Sequence, residues 1–311
     1  MNLADVRAAR ERIAKHVVVT PTVVRDGVGY KLEFLQHTGS FKPRGAFNAA
    51  LQLSEAERSQ GVVAVSGGNH GLAVAFVAKK LGIPATVVMP KTTPPFVVER
   101  AQADGAQVVL TETIAEGFAR VDELARDGLT LLHPFDDDRV IAGQGTIGLE
   151  MLEQMPALET VVISIGGGGL LVGIASVLKQ LKPGVTVIGV ETKGADAMHR
   201  ALEAGKPVLL DGITSIARTL GAPAVAQRTL DGVRAYVDAV VVVDDRAAVV
   251  AIVELQESLG VLVEPAASCT LAAVRLGLVP KSEQTLLLLC GSNVRLDEVA
   301  AWRQRFAESA A

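Results

Sequence analysis

Short apolar runs alternate with amphipathic stretches along most of the chain. Short runs rich in β-branched residues are typical of buried strands, and a 3.6-residue apolar period predicts helices between them. The predicted strands span residues 62–65, 85–89, 107–110, 129–133, 160–165, 185–190 and 285–290. The predicted helices span residues 72–81, 95–104, 114–126, 145–154, 170–181 and 197–204, after an amphipathic helix within residues 1–15.

This alternation of strands and helices predicts an α/β fold. Strands that read as continuous apolar runs are typical of parallel sheets with helices on both faces. The sequence contains no repeat, no low-complexity segment and no linker. Two domains, if present, would therefore be interwoven or joined by short connections, and composition alone places no boundary.

Composition narrows the classes of function. The chain has 311 residues, of which 49% are hydrophobic and 21% are charged, with a net charge of −4. Charges of both signs are mixed, which argues against a nucleic-acid or membrane partner. Cys269 and Cys290 lie in apolar runs and form no disulfide framework, so we expect a reducing, cytoplasmic location. Asp5 and Glu11 and the absence of an apolar core argue against a signal peptide in the first 15 residues.

A run of four glycines separates the strand predicted at 160–165 from the helix predicted at 170–181. A glycine loop before a helix N-terminus is typical of a phosphate site, although a bare tight turn is the alternative. Glu191, at the end of the next strand, would suit a dinucleotide site. However, the third glycine of that fingerprint would fall on Leu171 or Val172, and no Gly-Lys-Ser/Thr follows. The loop therefore indicates a phosphate site but does not identify the ligand that carries the phosphate.

Two further segments carry candidate chemistry. Residues 38–45 surround Lys42 with small polar side chains, and Phe41 beside it suggests the desolvated amine that Schiff-base chemistry requires. The alternative is a solvated lysine in a surface turn. Residues 66–71 follow a predicted strand and open a helix, with Asn69 and His70 at the rim of a second anion site. The alternative there is a simple asparagine turn.

The order of the motifs makes the interpretation specific. Thr-Gly-Ser-Phe-Lys at 38–42, Ser-Gly-Gly-Asn-His-Gly at 66–71, the glycines at 166–169 and Cys-Gly-Ser-Asn at 290–293 follow one another. This series resembles fold-type-II pyridoxal-phosphate (PLP) enzymes, specifically the serine/threonine dehydratases and serine racemases. Segments 133–137, 144–150 and 264–266 are also similar to that family. The resemblance covers nearly the whole chain.

The resemblance implies an architecture. It implies two interwoven three-layer domains with mostly parallel sheets, as in the β-subunit of tryptophan synthase. Residues 1–44 and 139–311 would form a large, discontinuous PLP-binding domain, and residues 45–138 a small domain. The family also implies a homodimer.

Site residues follow from the same resemblance. Lys42 would form the Schiff base with PLP and later remove the Cα proton, and Ser66 is predicted to be catalytic with it. The other cofactor contacts would be Phe41 against the ring, Asn69 at the ring hydroxyl, Gly166, Gly167, Gly168 and Gly169 at the phosphate, and Cys290 at the pyridine nitrogen. The substrate carboxylate would lie among Ser66, Gly67, Asn69 and His70.

The implied reaction is β-elimination, which converts L-threonine or L-serine to a 2-oxo acid and ammonia. A thiol at Cys290 is a neutral partner, with an ordinary pKa of about 8.5. It does not demand a protonated pyridine, so the ring is a weaker electron sink and suits expulsion of a β-leaving group. Racemases of the family place a second serine where this chain has Gly67, which also favours elimination.

Two other departures concern the scaffold and a cation. Only residues 22–30 separate Thr20-Pro21 from Lys31, so a helix of the family is missing or shortened. Glu191 and Ala195 match two positions of the family's cation site, but Ala197 replaces an aspartate of the magnesium-binding form. Together with Leu220 and Ala222, they resemble members that hold a monovalent cation such as potassium by backbone carbonyls. The alternative is a loop without an ion.

Three alternatives remain open. The first is another PLP reaction on this scaffold: dehydration of a bulkier 3-hydroxy amino acid, serine racemisation or β-replacement. The second is a nucleotide-dependent oxidoreductase that uses the glycine loop and Glu191. The third is a non-catalytic amino-acid sensor.

Overall fold

The strands of the protein form two separate sheets in the computed structural model, which describes residues 1–308. One sheet has six strands in the order β1-β2-β10-β7-β8-β9, and the other has four in the order β5-β4-β3-β6. The strands are β1 (Thr22–Arg25), β2 (Val28–Lys31), β3 (Val62–Val65), β4 (Ala85–Pro90), β5 (Gln107–Thr111), β6 (Thr130–Leu131), β7 (Thr160–Ser164), β8 (Thr186–Thr192), β9 (Ala239–Val243) and β10 (Thr285–Leu288).

Parallel pairing dominates both sheets. Among the described strands, β1 and β2 pair antiparallel, whereas the other neighbouring strands pair parallel. The predicted α/β class with mostly parallel sheets is therefore confirmed. Strand β7 is buried along its whole length, which is why it reads as a continuous apolar run.

Helices cover the faces of both sheets. They are α1 (Leu3–Ile13), α2 (Pro43–Ala50), α3 (Glu55–Gln60), α4 (Asn69–Leu81), α5 (Pro95–Ala103), α6 (Ile114–Arg126), α7 (Asp138–Gln154), α8 (Gly169–Leu181), α9 (Ala197–Ala204), α10 (Gln227–Tyr236), α11 (Asp245–Leu259), α12 (Pro265–Arg275) and α13 (Leu296–Glu308). Within residues 1–308, no helix is both long enough and apolar enough to cross a membrane.

The two sheets take their strands from different parts of the chain. All strands of the four-stranded sheet come from residues 62–131, whereas the six-stranded sheet takes strands from before and after them. Helix α2 packs Ala46 and Phe47 into the apolar cluster of the smaller sheet, with Val62 and Ala64. We propose on this basis the boundaries 1–44 and 139–311 for the large domain and 45–138 for the small one.

A tight hairpin occupies the shortened segment before Lys31. Strand β1 turns into β2 through Asp26 and Gly27, whose φ angles are +52° and +77°. Two central residues with positive φ are typical of a type I′ turn, in which Asp-Gly is a favoured pair. Strand β2 then pairs with β10 in the six-stranded sheet. The chain thus enters this sheet through a hairpin.

Two sequence predictions need correction in this region of the fold. Helix α7 begins at Asp138 rather than Gly145. Glycines lowered the helical signal, but Gly143 is needed because a Cβ there would lie 2.6 Å from the Arg44 carbonyl oxygen. Strand β6 is shorter than the predicted strand at 129–133. At the start of α7, Asp137 caps the helix, and Asp136 and Asp138 pair with Arg228.

A cluster of buried charges joins β2, α2 and α7. The Arg44 guanidinium lies 2.8 Å from a Glu33 carboxylate oxygen and 2.6 Å from one of Glu150. Lys31 donates to the other oxygen of Glu150 at 2.5 Å. The side chains of this pair are 0% and 4% exposed. Two cations and two anions balance one another, so this cluster carries no net charge.

We predict that Glu150→Gln destabilises the protein by about 3–5 kcal/mol, because it leaves Arg44 and Lys31 short of a buried anion. The matched control is Glu153→Gln on the same helix. Glu153 pairs with Arg10 at the surface, where the side chains are 54% and 42% exposed, and should contribute less than about 1 kcal/mol. Chemical denaturation of both variants measures the free energy of unfolding. Equal effects would show that the buried cluster is not special.

Candidate active site

The four motifs found in the sequence meet at one cavity. Its volume is 840 Å³, within the size range of cofactor and small-ligand sites. Strands β3 and β7 are parallel strands that each end in a glycine-containing loop at the cavity. Motif residues that line it include Phe41, Lys42, Ser66, Gly67, Asn69, His70, Gly166, Gly167, Gly168, Gly169, Glu264, Cys290 and Asn293. The structure therefore brings together the predicted cofactor and substrate residues.

Lys42 immediately precedes helix α2 and reaches into the cavity. Its amine donates to the carbonyl oxygen of Pro134 at 3.2 Å and lies 5.1 Å from the centre of the Phe41 ring. Burial lowers the pKa of Lys42 to about 8, although the nearby Cys290 and Glu264 partly oppose the shift. A larger fraction of this amine is unprotonated near neutral pH than for an ordinary lysine. This is the state in which an amine acts as a nucleophile or a base.

Asn69 is the first residue of α4 and has a fixed amide orientation. Its Nδ2 donates to Glu264 Oε1 at 2.8 Å, and its Oδ1 accepts from the Asn293 side chain at 2.6 Å. Thr219 donates to the same Glu264 oxygen at 3.0 Å. One Nδ2 hydrogen of Asn69 is left for a ligand. Sequence reasoning found the Glu-Pro-Ala motif but not this contact, since the two residues are far apart in the chain.

Burial governs the charge of the Glu264 carboxyl group. It raises the pKa to about 7, and hydrogen bonds from Thr219 and Asn69 oppose the rise. The backbone N–H of Asn293 donates to the second oxygen at 3.2 Å. The group therefore changes charge near neutral pH while it holds the Asn69 amide in place.

Backbone and hydroxyl groups dominate the loop before α4. The Ser66 hydroxyl accepts a hydrogen bond from the Gly68 N–H at 3.2 Å. His70 donates from Nε2 to the Leu132 carbonyl oxygen at 2.7 Å, because a carbonyl can only accept. Burial lowers the pKa of His70 to about 3, so the neutral ring offers no second N–H. An anion here would bind to the free N–H groups at the start of α4 rather than to the imidazole.

The glycine loop between β7 and α8 is tightly packed against Phe135 and Thr229. A Cβ on Gly167 would lie 2.1 Å from ring atoms of Phe135, and one on Gly168 would lie 2.9 Å from Thr229 Cβ. Gly168 also has a φ of +95°, which favours glycine. The loop and the first turn of α8 therefore present bare backbone to the cavity, and this cradle fits the phosphate of PLP.

Cys290 follows β10 on the floor of the cavity. Its thiol accepts a hydrogen bond from the Ser164 hydroxyl at 3.4 Å and donates to the Ala266 carbonyl at 3.5 Å. Burial raises the pKa of Cys290 to about 12. The thiol is therefore neutral, and neutrality is what the resemblance implies for the partner of a pyridine nitrogen.

The predicted cation residues lie beside the glycine loop and α9. The Glu191 carboxylate accepts from the N–H groups of Met198 and His199 at 2.8 and 2.7 Å, so it already caps α9. Leu220 approaches Gly166, whose Cβ would lie 3.3 Å from the Leu220 carbonyl oxygen. No group of three His, Cys, Asp or Glu side chains in residues 1–308 could hold a metal. A monovalent site built from backbone carbonyls stays a prediction.

One wall of the cavity is apolar, and the sequence patterns did not predict it. Phe96 and Val97 from α5, Ile114 and Phe118 from α6, and Trp302 from α13 line it. Aromatic residues make up only 4% of the chain. Yet four of its eight phenylalanines and its one tryptophan line this cavity. Three separate helices supply these side chains, so no local pattern could reveal them.

Comparison with known families agrees with this geometry. The sequence model described as "Pyridoxal-phosphate dependent enzyme" matches residues 15–291. The chain belongs to this family of PLP-dependent enzymes. The suspected relationship to fold-type-II PLP enzymes is confirmed, and PLP is the cofactor.

Relatives and solved structures support the same assignment. A phenylserine dehydratase of Ralstonia pickettii is 40% identical over 303 residues, covering 94% of this chain and 93% of the relative. An L-threonine ammonia-lyase of Thermotoga maritima is 38% identical over 312 residues, covering 96% of this chain and 77% of the relative. The structure of maize serine racemase has a TM-score of 0.91 at 33% identity, covering 99% of this chain and 98% of that one.

We predict that Gly167→Ala weakens PLP binding. The added methyl group would collide with Phe135, and such overpacking costs about 1–3 kcal/mol, or about 5-fold to 150-fold in affinity. Titration of the apoprotein with PLP, followed by absorbance, measures the dissociation constant. Gly184→Ala is the control, because a Cβ there would meet nothing within 4 Å. Unchanged PLP affinity of the Gly167→Ala variant would show that this loop does not bind the phosphate.

Proposed function

We propose that this protein is a PLP-dependent ammonia-lyase that dehydrates a 3-hydroxy amino acid, L-threonine or L-serine, to a 2-oxo acid and ammonia. The observation that carries the proposal is the half-buried Lys42, whose amine has a pKa lowered to about 8. It lies in one cavity with a glycine cradle, the Asn69 loop and a neutral thiol. Relatives named threonine ammonia-lyase lend support.

The chain's own residues have separable tasks in this reaction. Lys42 would hold the cofactor, and its amine, once displaced by the substrate amine, would take the proton from Cα. The start of α4 and the Ser66 hydroxyl bind the substrate carboxylate, and the remaining Asn69 hydrogen meets the ring hydroxyl. PLP, when bound, supplies the sink for the electron pair left at Cα. The neutral Cys290 would add no charge beside the cofactor ring, which would limit that sink and favour early loss of the β-hydroxyl, which leaves with a proton as water.

Gly67 favours elimination over racemisation. A racemase needs a second proton carrier on the opposite face of Cα, and glycine has none. A Cβ at this position would lie 2.3 Å from the Thr93 hydroxyl oxygen, so the site has no room for a side chain without rearrangement. Analysis of the products from L-serine separates pyruvate from D-serine or a β-replacement product.

We predict that Lys42→Ala abolishes both the visible absorbance band of lysine-bound PLP and 2-oxo acid formation. Loss of the base should lower the rate by at least about 10²- to 10⁴-fold. The control is Lys206→Ala, because Lys206 is exposed. A wild type with no visible band after addition of PLP would refute the proposed chemistry. A band without 2-oxo acid would move the search to other PLP reactions.

A bulkier 3-hydroxy amino acid is a second candidate substrate. The apolar wall formed by Phe96, Ile114, Phe118 and Trp302 offers far more surface than the methyl group of threonine can cover. An aryl group at Cβ would bury that surface and gain aromatic contacts. The relative that is named phenylserine dehydratase is consistent with such a substrate.

We predict that Ile114→Trp, which fills the apolar end of the cavity, lowers kcat/KM for L-threo-3-phenylserine at least about 10-fold and changes that for L-threonine little. One aryl-sized obstruction removes at least about 1.4 kcal/mol of favourable contact. Ile114→Ala is the matched control and should retain both substrates. Equal losses with both substrates would show that the wall does not select the β-substituent.

Three further assignments belong to the proposal. A monovalent cation such as potassium would bind near Glu191, Ala195, Leu220 and Ala222. A cytoplasmic location is supported by Cys269 and Cys290, which are free and buried. A homodimer is supported by the exposed apolar side chains of Val18, Val19 and Leu35. Hydrogen bonds between Val18 and Gln36, the residue after Leu35, hold the two segments together.

A further inference from the structure

Thr93 faces Gly67 across the substrate end of the cavity. Its side chain lines the same cavity as Lys42 and Ser66. A Cβ on Gly67 would lie 2.3 Å from Thr93 Oγ1 and 3.4 Å from Thr93 Cβ. The hydroxyl therefore lies directly over the bare backbone of the loop that leads into α4. Gly67 has no positive φ, so the close approach of Thr93, rather than the backbone conformation, calls for glycine.

The hydroxyl of Thr93 is buried and unsatisfied. The residue is 8% exposed, and Oγ1 finds no hydrogen-bond partner among residues 1–308. A buried polar group without a partner carries a substantial desolvation cost. The backbone N–H of Thr93 donates to the Pro90 carbonyl oxygen at 2.9 Å, and the β-branched side chain is stiff at χ1. A rigid, unpaired donor in a cavity indicates a ligand.

The side chains of Asn69 and His70, which neighbour Gly67, already donate hydrogen bonds to other protein groups. The His70 ring N–H donates to the Leu132 carbonyl oxygen, and one Asn69 amide hydrogen donates to a Glu264 carboxyl oxygen. The hydroxyl hydrogens of Ser66 and Thr93 are left on the two sides of Gly67, next to the free N–H groups at the start of α4. Two hydroxyl donors and a helix N-terminus form a site for a carboxylate.

We propose that the Thr93 hydroxyl donates a hydrogen bond to the carboxylate of the amino-acid substrate, opposite Ser66 and the N-terminus of α4. This inference rests on the proposed function, because it assigns a further binding residue to the same site. Gly67 exposes this donor, since any side chain there would stand between Thr93 and the ligand.

A pair of ligands that differ only in the carboxylate tests the assignment. L-2-aminobutyrate has no β-hydroxyl and is not eliminated, and 1-propylamine is the same molecule without the carboxylate. Their dissociation constants from the PLP holoenzyme are measured by the change in visible absorbance, for the wild type, Thr93→Val and Thr93→Ser. Thr92→Val is the control, because Thr92 lines the same cavity but is exposed.

Thr93→Val should weaken L-2-aminobutyrate binding about 10-fold to 150-fold, the range for loss of a hydrogen bond to a charged group. It should leave propylamine binding unchanged, while Thr93→Ser and Thr92→Val stay near the wild type. Equal weakening of both ligands would assign Thr93 to packing and overturn the proposal, as would no weakening. A loss seen with L-threonine but not with aminobutyrate would place the hydroxyl at the substrate's β-oxygen instead.

The failure of the lyase proposal has a different signature. A wild type that binds L-2-aminobutyrate more tightly than propylamine, yet releases no 2-oxo acid from any 3-hydroxy amino acid, would refute the reaction alone. The comparison of Thr93→Val with the wild type would still decide the carboxylate contact. Equal affinity of the wild type for the acid and the amine would show that no carboxylate site exists and would overturn the inference.

Discussion

The buried Arg44 guanidinium is the interaction on which the active site depends. Its position is fixed, because Glu33 and Glu150 neutralise its charge in an interior that excludes water. Arg44 lies two residues after Lys42, in the first turn of α2. The same contacts that balance the charge therefore fix where α2 begins and where the amine enters the cavity. Lys31 completes the balance from β2, so one set of ion pairs joins the six-stranded sheet to the start of the helix that follows Lys42.

The site also spans both halves of the chain. Asn69 and Arg100 come from the region of the four-stranded sheet, whereas Glu264 and Asn293 come from the region of the six-stranded one. Asn69 bonds both Glu264 and Asn293, and Arg100 donates to Asn293 at 2.7 Å. The orientation of the Asn69 amide thus depends on contacts from both halves.

Much of this arrangement could be predicted from the sequence, for physical reasons. Buried parallel strands such as β7 leave continuous apolar runs, and loops that approach a phosphate need glycines. The start of α7 was missed because its glycines, which serve a close approach to α2, weaken the helical signal. The Glu264 contact and the aromatic wall were missed because they join residues that only the tertiary fold brings together. Thr93 carried no signal either, since its role depends on an empty position at Gly67.

Trp302 has a consequence for how the protein can be observed. It is the chain's one tryptophan, and it lines the cavity from the last described helix. Intrinsic fluorescence excited at the indole band therefore comes from one place, at the edge of the active site. Its emission lies where a PLP group held on lysine absorbs, so energy transfer between the two reports cofactor occupancy. Cofactor occupancy can therefore be followed by intrinsic fluorescence without an attached label, and the signal contains no contribution from a second tryptophan.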